Sequence, residues 1–135
     1  MGAWGTGVFD NDDACDFAAE VANGRDLIVI ERALERTLAT SGDYLEAPDG
    51  SLALAAADIV ARLNGKFGER NAYTSDIDAW VQRTKLTPSD DLTAKAHQAV
   101  QRVITAPSEL IELWEDSNDF AEWKVVVAAL SQRLQ

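Results

Sequence analysis

Apolar residues recur at helical spacing along most of the chain, and short polar stretches separate the recurrences. The first recurrence, Ala14, Phe17, Ala18 and Val21, has the i, i+3, i+4, i+7 spacing of one buried helical stripe. No stretch shows the sustained period-two alternation that is typical of a half-buried strand. The pattern predicts an all-α fold, a compact single-domain bundle of about six or seven short helices over residues 1–135.

Helix starts are predicted at side chains that can accept hydrogen bonds from the free N–H groups of a first turn, or at a proline. In chain order the start signals are at Asp10, Asp26, Pro48, Ser75, Thr87 and Asp119. A further short helix, carrying Leu110, Leu113 and Trp114, is expected after the break at Pro107. These signals give seven helices in all.

The third predicted helix, from Pro48 to Asn64, is apolar nearly all round. Its narrow polar stripe consists of Ser51, Asp58 and Arg62. A helix with so little polar surface is expected at the centre of the bundle. Asp58 and Arg62 are four residues apart, so we expect them to pair at the edge of the core.

The opening segment differs from the rest of the chain, because glycines surround a tryptophan just ahead of the first helix. We predict a structural motif made of Gly2, Trp4, Gly5, Gly7, Phe9, Asp10 and Asp13. Asp10 is the expected N-cap, with Asp13 completing a capping box. A phosphate-binding loop is excluded because no Gly-Lys-Ser/Thr follows and carboxylates crowd the helix start. We expect the glycines to let the backbone cross the helical body closely, with Trp4 and Phe9 buried against it.

Charge narrows the range of partners. The chain has 23 Asp and Glu against 12 Lys and Arg, a net charge of −11. Such a chain repels phosphate backbones and anionic membranes, which argues against nucleic-acid or membrane binding. The charge either attracts basic proteins or serves only to keep the protein in solution. The lone Cys15 excludes an intrachain disulfide, and neither a signal peptide nor a membrane span is evident. A cytoplasmic location is expected.

Carboxylates are concentrated near the sixth predicted helix. The candidate partner surface consists of Glu109, Glu112, Glu115, Asp116 and Asp119. Such a face is either ordinary solvated charge or a docking surface for a basic protein. A similar set at the first helix, Asp12, Asp13, Asp16 and Glu20, is expected to be solvated charge near the positive helix end.

Catalytic chemistry has little support in the sequence. His97 is the only histidine, and Ala94 stands where a di-iron Glu-x-x-His motif needs its glutamate. Cys15 and His97 carry no local signature of a nucleophile and its base. The Glu-x-x-Glu spacing of Glu109 and Glu112 is similar to that of all-α nucleotide pyrophosphatases that bind magnesium. A metal-dependent nucleotide hydrolase is therefore the alternative, while no catalytic, cofactor or metal residue is assigned.

The opening residues Met-Gly-Ala-Trp-Gly-Thr-Gly-Val-Phe-Asp-Asn-Asp-Asp-Ala-Cys-Asp-Phe resemble the start of a bacterial family known as domain of unknown function 4259. Phe17 stands where that family often has tryptophan. Looser similarity continues at residues 42–47, at residues 108–115 and at Trp123. The resemblance implies a small, self-contained bacterial domain, and it implies no activity, cofactor or catalytic residue.

The leading hypothesis is a small acidic cytosolic domain without catalysis that binds a basic protein, as inhibitor-like and immunity-like proteins do. A homodimer formed through spare apolar surface of the fourth to seventh helices is a further hypothesis. Light scattering distinguishes that dimer from a monomer.

Overall fold

A computed structural model describes residues 3–40 and 42–135 of the chain and contains, within them, seven α-helices. They are α1 (Asp12–Ala22), α2 (Ile28–Leu38), α3 (Ala47–Leu63), α4 (Ser75–Thr84), α5 (Asp90–Val103), α6 (Glu109–Glu115) and α7 (Phe120–Arg133). Strand-like pairing in these ranges is limited to two isolated bridges, Ala3 with Asn11 and Leu45 with Ser108. The prediction of an all-α fold is confirmed.

The long helix α3 lies at the centre and contacts all the other helices. Its residues from Ala53 to Arg62 are all buried, as the nearly unbroken apolar sequence predicts. Gly50, in its first half, lets α6 approach closely, because a Cβ there would lie 2.8 Å from Leu110 Cδ1. The amino-terminal end of α3 is thereby packed against α6, beside the clefts described below.

The predicted start at Asp119 is confirmed, since Asp119 is the N-cap of α7, whereas three other starts are displaced by one or two residues. Asn11, not Asp10, caps α1, because its Oδ1 accepts a 2.8 Å hydrogen bond from the Ala14 N–H. Ser89, not Thr87, caps α5 by accepting from the Leu92 N–H at 3.0 Å. Thr74, not Ser75, is the N-cap residue of α4. Several capping residues stand next to one another in this sequence, so tertiary packing selects among them.

The core is continuous from the first helix to the last. Buried hydrophobic residues from every helix and from the loops form one cluster, which includes Phe9, Phe17 and Trp80. Trp114 of α6 and Trp123 of α7 are stacked, with ring centroids 5.9 Å apart and planes inclined by 12°. This stack is a direct contact between the last two helices.

Across the described ranges, no helix combines the length and the apolar character needed to cross a bilayer.

Candidate functional site

The segment from Ala3 to Asn11, named here the glycine loop, closes on itself. The Trp4 N–H donates to the Asp10 carbonyl at 2.9 Å, and the Asp10 N–H donates to the Gly7 carbonyl at 3.1 Å. The bridge between Ala3 and Asn11 closes the base of the loop. The loop is therefore a compact structure of its own beside the helical bundle.

The carboxylate of Asp10 explains two of the glycines. The Gly7 N–H donates to Asp10 Oδ2 at 3.0 Å. A Cβ at Gly5 would lie 2.5 Å from that oxygen, and a Cβ at Gly7 would lie 2.7 Å from it. The predicted role of Asp10 as N-cap, and with it the capping box that Asp13 was expected to complete, is therefore wrong, since the Asp10 carboxylate holds the loop instead. The glycines allow close approach to this carboxylate and not, as expected, to the helical body; Gly2 lies outside the described residues.

The two aromatic residues of the loop have different environments. Phe9 is buried at 4% exposure, as predicted, and the Arg62 guanidinium lies 5.4 Å from its ring centroid. Trp4 is 48% exposed, so its predicted burial is wrong. Its ring contacts that of Tyr73, itself 51% exposed, with centroids 5.2 Å apart. Phe9 occupies the core position beneath the loop, and Trp4 forms an exposed aromatic pair.

One side of the glycine loop faces a cleft of about 300 Å³, named here the apolar cleft. The loop, the start of α1, the amino-terminal half of α3, α6 and α7 enclose it. Its apolar lining consists of Ala3, Val8, Ala47, Pro48, Leu54, Leu110, Leu113, Trp114, Trp123, Val126 and Val127. Asp12 and Asp13, both exposed, are its charged lining residues. Of the described residues, no lysine or arginine lines this cleft.

The other side of the loop faces a cleft of about 490 Å³, named here the ionic cleft. The segment between α3 and α4, together with α3 and α7, completes its wall. Asp58, Arg62 and Arg133 lie in this cleft, as do Asp10, Glu69 and Glu122. Val126 and the loop residues from Gly5 to Val8 line both clefts. The glycine loop is thus a partition between an apolar space and a charged one.

In the ionic cleft Asp58 binds both Arg62 and Arg133, whereas the other carboxylates of the lining form no salt bridge within the described residues. Arg62 donates from Nε to Asp58 at 2.6 Å, from Nη1 to Asp78 at 2.7 Å and from Nη2 to the Glu69 carbonyl at 2.7 Å. Arg133 donates to both oxygens of Asp58, at 3.0 and 3.1 Å. The predicted pairing of Asp58 with Arg62 is confirmed. Its predicted place at the core edge is wrong, since the two residues are 3% and 2% exposed.

The sequence does not indicate the other members of this network. Asp78 and Arg133 lie 16 and 75 residues from their partners Arg62 and Asp58, so no local spacing indicates them. Thr74 donates to the second oxygen of Asp78 at 2.9 Å, and Arg70 Nε lies 3.5 Å from the same oxygen. The absence of a side chain at Gly68 leaves room for the Arg133 guanidinium, because a Cβ at Gly68 would lie 2.5 Å from Arg133 Nη1.

The model of the family described as "Domain of unknown function (DUF4259)" matches residues 2–125. The chain belongs to this family. The match spans the described part of the glycine loop and α1 to α6, and it ends just before Val126, which lines both clefts. No curated protein and no solved structure matches the chain.

In this DUF4259 domain the acidic residues of the candidate partner surface separate into two groups. Glu109 accepts from the Ala47 N–H at 2.7 Å and so binds the amino-terminal end of α3. Glu112 accepts from the Tyr44 hydroxyl at 3.0 Å. Desolvation, followed by this hydrogen bond and the charge of Glu112, raises the pKa of Tyr44 to about 12. These two carboxylates are therefore engaged in hydrogen bonds within the fold.

The second group consists of Glu115, Asp116 and Asp119, which are exposed. In the described part of the chain none of the three forms a salt bridge. The acids of α1, Asp12, Asp13, Asp16 and Glu20, are exposed as well. Their position opposite the buried stripe is as the helical spacing predicts.

The groups considered for catalysis in this DUF4259 domain lie in structural contacts. Cys15 Sγ donates to the Phe9 carbonyl at 3.1 Å, and burial, with the charges of Asp12, Asp16 and Asp10, raises the pKa of its thiol. A raised pKa disfavours the nucleophilic thiolate. His97 Nε2 lies 3.1 Å from Ser131 Oγ, so the hydroxyl of α7 is its partner. Within residues 3–40 and 42–135, no three His, Cys, Asp or Glu side chains are grouped to hold a metal ion.

Proposed function

We propose that this DUF4259 domain binds a basic protein on its acidic side and carries out no catalysis, in the manner of an inhibitor or immunity protein. The supporting observation is that two acidic stretches, far apart in sequence, both lie on elements that line the apolar cleft, and that the first stretch places Asp12 and Asp13 in the lining itself. The apolar cleft supplies buried contact area, and the carboxylates around it supply charge complementarity.

The first acidic stretch, residues 10–20, contains Asp10, Asp12, Asp13, Asp16 and Glu20 and has no lysine or arginine. The second, residues 109–122, contains Glu109, Glu112, Glu115, Asp116, Asp119 and Glu122 and also has none. The first stretch contributes Asp12 and Asp13 to the lining of the apolar cleft, and α6 and α7, which carry the second stretch, contribute apolar residues to it. The described salt bridges use different carboxylates, those of Glu35, Asp49, Asp58 and Asp78.

The negative charges of Glu115 and Asp116 do not stabilise the helix that carries them. These two acids lie at the carboxyl-terminal end of α6, where the helix dipole disfavours negative charge. A basic partner would neutralise them and would associate faster because of the complementary field. The proposal places the domain in the bacterial cytoplasm, where a lone thiol such as Cys15 stays reduced.

The test uses affinity purification from an extract of the source organism, followed by binding measurements with the purified partner. A basic partner is expected, with an affinity that falls as salt rises, because the Debye length shortens from about 10 Å at 0.1 M to about 3 Å at 1 M. The variant Glu115→Lys/Asp116→Lys/Asp119→Lys, which leaves Glu109 and Glu112 in their structural bonds, should weaken binding at least about tenfold.

The matched control is Asp76→Lys/Asp90→Lys/Asp91→Lys, which makes the same change in net charge at exposed positions of α4 and α5. This control should retain most of the affinity. A partner whose binding is insensitive both to salt and to the Glu115, Asp116 and Asp119 reversals would contradict the proposal.

A further inference from the structure

We propose that the apolar cleft receives one large apolar side chain of the partner, and that lysine or arginine flanks this side chain in the partner's sequence. This inference rests on the proposed function and specifies the chemistry that the site recognises.

The size and floor of the apolar cleft favour a single anchoring side chain. Its volume of about 300 Å³ is at the lower end of the range of about 300–1,000 Å³ for small-molecule clefts. The stacked rings of Trp114 and Trp123 contribute to its lining, with Leu113 and Val126 partly exposed beside them. A planar or branched apolar group can contact these rings and exclude water, as an anchor residue does at the centre of a protein interface.

The charged rim determines which residues can flank the anchor. Asp12 and Asp13 are exposed where α1 begins, and in the described ranges neither has a salt-bridge partner. Lysine or arginine next to the anchor would meet the carboxylates of Asp12 and Asp13, and aspartate or glutamate would be repelled.

A second copy of the chain is a poor occupant of the same cleft. Its net charge of −11 would bring further carboxylates toward an acidic rim. The ionic cleft is also a poor site for the anchor, because Arg62 and Arg133 already have carboxylate partners there. The apolar cleft and a basic partner are therefore the complementary pair.

The test uses short peptides as probes and the indole N–H signals of the four tryptophans as reporters. A Lys-Trp-Lys peptide titrated into the labelled protein should produce saturable shifts at Trp114 and Trp123. Trp80 should stay unchanged, because it is fully buried and its indole N–H donates to the Gly24 carbonyl at 3.0 Å. Trp4 reports binding at the exposed aromatic pair instead.

Two control peptides separate the contributions. Lys-Ser-Lys keeps the charge without the anchor, and Glu-Trp-Glu keeps the anchor with the opposite charge. Each should bind with an affinity at least about tenfold lower than that of Lys-Trp-Lys. Equal binding of Lys-Ser-Lys would overturn the anchor inference while leaving the proposed function intact. Equal binding of Glu-Trp-Glu would overturn the requirement for basic flanks. Absence of saturable shifts at Trp114 and Trp123, or shifts at Trp4 alone, would overturn the assignment of the cleft.

Filling the cleft is the complementary experiment. Val126→Phe should weaken Lys-Trp-Lys binding at least about tenfold, whereas Val125→Phe, at a neighbouring position that is 69% exposed and outside the cleft lining, should not. Ser51 lines the apolar cleft and not the ionic one, so Ser51→Phe should weaken Lys-Trp-Lys binding as Val126→Phe does. An unchanged affinity in a Ser51→Phe protein that keeps its native Trp80 signal would contradict the inference.

Discussion

The apolar cleft and the ionic cleft share a wall but differ in how their charges are balanced. In the ionic cleft Asp58 and Arg62 are almost fully buried, and Arg133 and Asp78 complete their bonds. In the apolar cleft the charged lining residues, Asp12 and Asp13, are exposed, and no basic side chain among the described residues lines the space. The first arrangement uses its charges within the fold, and the second leaves exposed charge that the proposed basic partner would neutralise.

The comparison shows that a charged cleft is not by itself a binding site. A buried carboxylate needs its counter-charge at all times, because desolvation without a partner is costly. Arg62 is already bound to Asp58 and Asp78, so an anionic ligand would bind to it only by displacing one of these carboxylates. A carboxylate at an exposed helix start is stable without a partner, since water and the helix dipole support it. Such a group can exchange water for a basic side chain at little cost.

The largest expected loss of stability is at Asp58 in the ionic cleft, and it is compared with the same Asp-to-Asn change at Asp12 in the apolar cleft. Asp58→Asn removes the charge that pairs with both Arg62 and Arg133, and should lower the free energy of unfolding by about 3–5 kcal/mol, the range for breaking a buried ion pair. Asp12→Asn removes only a dipole-favoured surface charge and should cost about 0.3–1 kcal/mol. Urea denaturation of the two variants measures both values.

Equal losses of stability in these two variants would break the distinction between the clefts. A small loss at Asp58 would mean that the ionic network contributes little to the fold and that its charges are free for another role. A large loss at Asp12 would assign the carboxylates of the apolar cleft to the fold instead of to a partner.

A smaller effect is expected at the wall that the clefts share. Gly7→Ala places a Cβ 2.7 Å from Asp10 Oδ2, so the carboxylate must turn away and lose the Gly7 N–H. The expected cost is about 1–3 kcal/mol, the value for hydrogen bonds to charged groups and for overpacking. Thermal or urea unfolding measures it.

The control for this prediction removes the obstacle. In an Asp10→Ala background the same Gly7→Ala change should cost less than about 0.5 kcal/mol, because the added methyl then meets no carboxylate. A cost that is the same in both backgrounds would show that the glycine is needed for another reason.

Features with a local periodic signal were predictable from the sequence. The central position of α3 follows from its apolar run, and the pairing of Asp58 with Arg62 follows from their i, i+4 spacing. The family was recognisable from the opening residues, and the matched range confirms it. In each case the information lies within about two turns of helix or in one continuous segment.

Features that depend on the meeting of distant segments were not predictable. Nothing near Asp58 in the sequence indicates that Arg133 completes its bonds, and nothing near Asp12 indicates that α6 and α7 lie across the same cleft. The sequence predicts the wrong role for Asp10, because an aspartate side chain at this position can bond forward to a helix or back to a loop. The adjacent Asn11 supplies the cap, which frees Asp10 to accept from Gly7.

The smallest expected effect concerns Trp4, at the outer edge of the shared wall. Its half-exposed ring contacts Tyr73, so Trp4→Ala should cost only about 1 kcal/mol, the scale of an aromatic pair. Trp80→Ala is the matched control, because Trp80 is fully buried, and it should cost about 3–5 kcal/mol. Urea unfolding of both variants gives the comparison. If the two losses are similar, Trp4 anchors the loop to the fold. A small loss at Trp4 with unchanged Lys-Trp-Lys shifts at Trp114 and Trp123 would place recognition in the apolar cleft, on the other side of the loop from the ionic network.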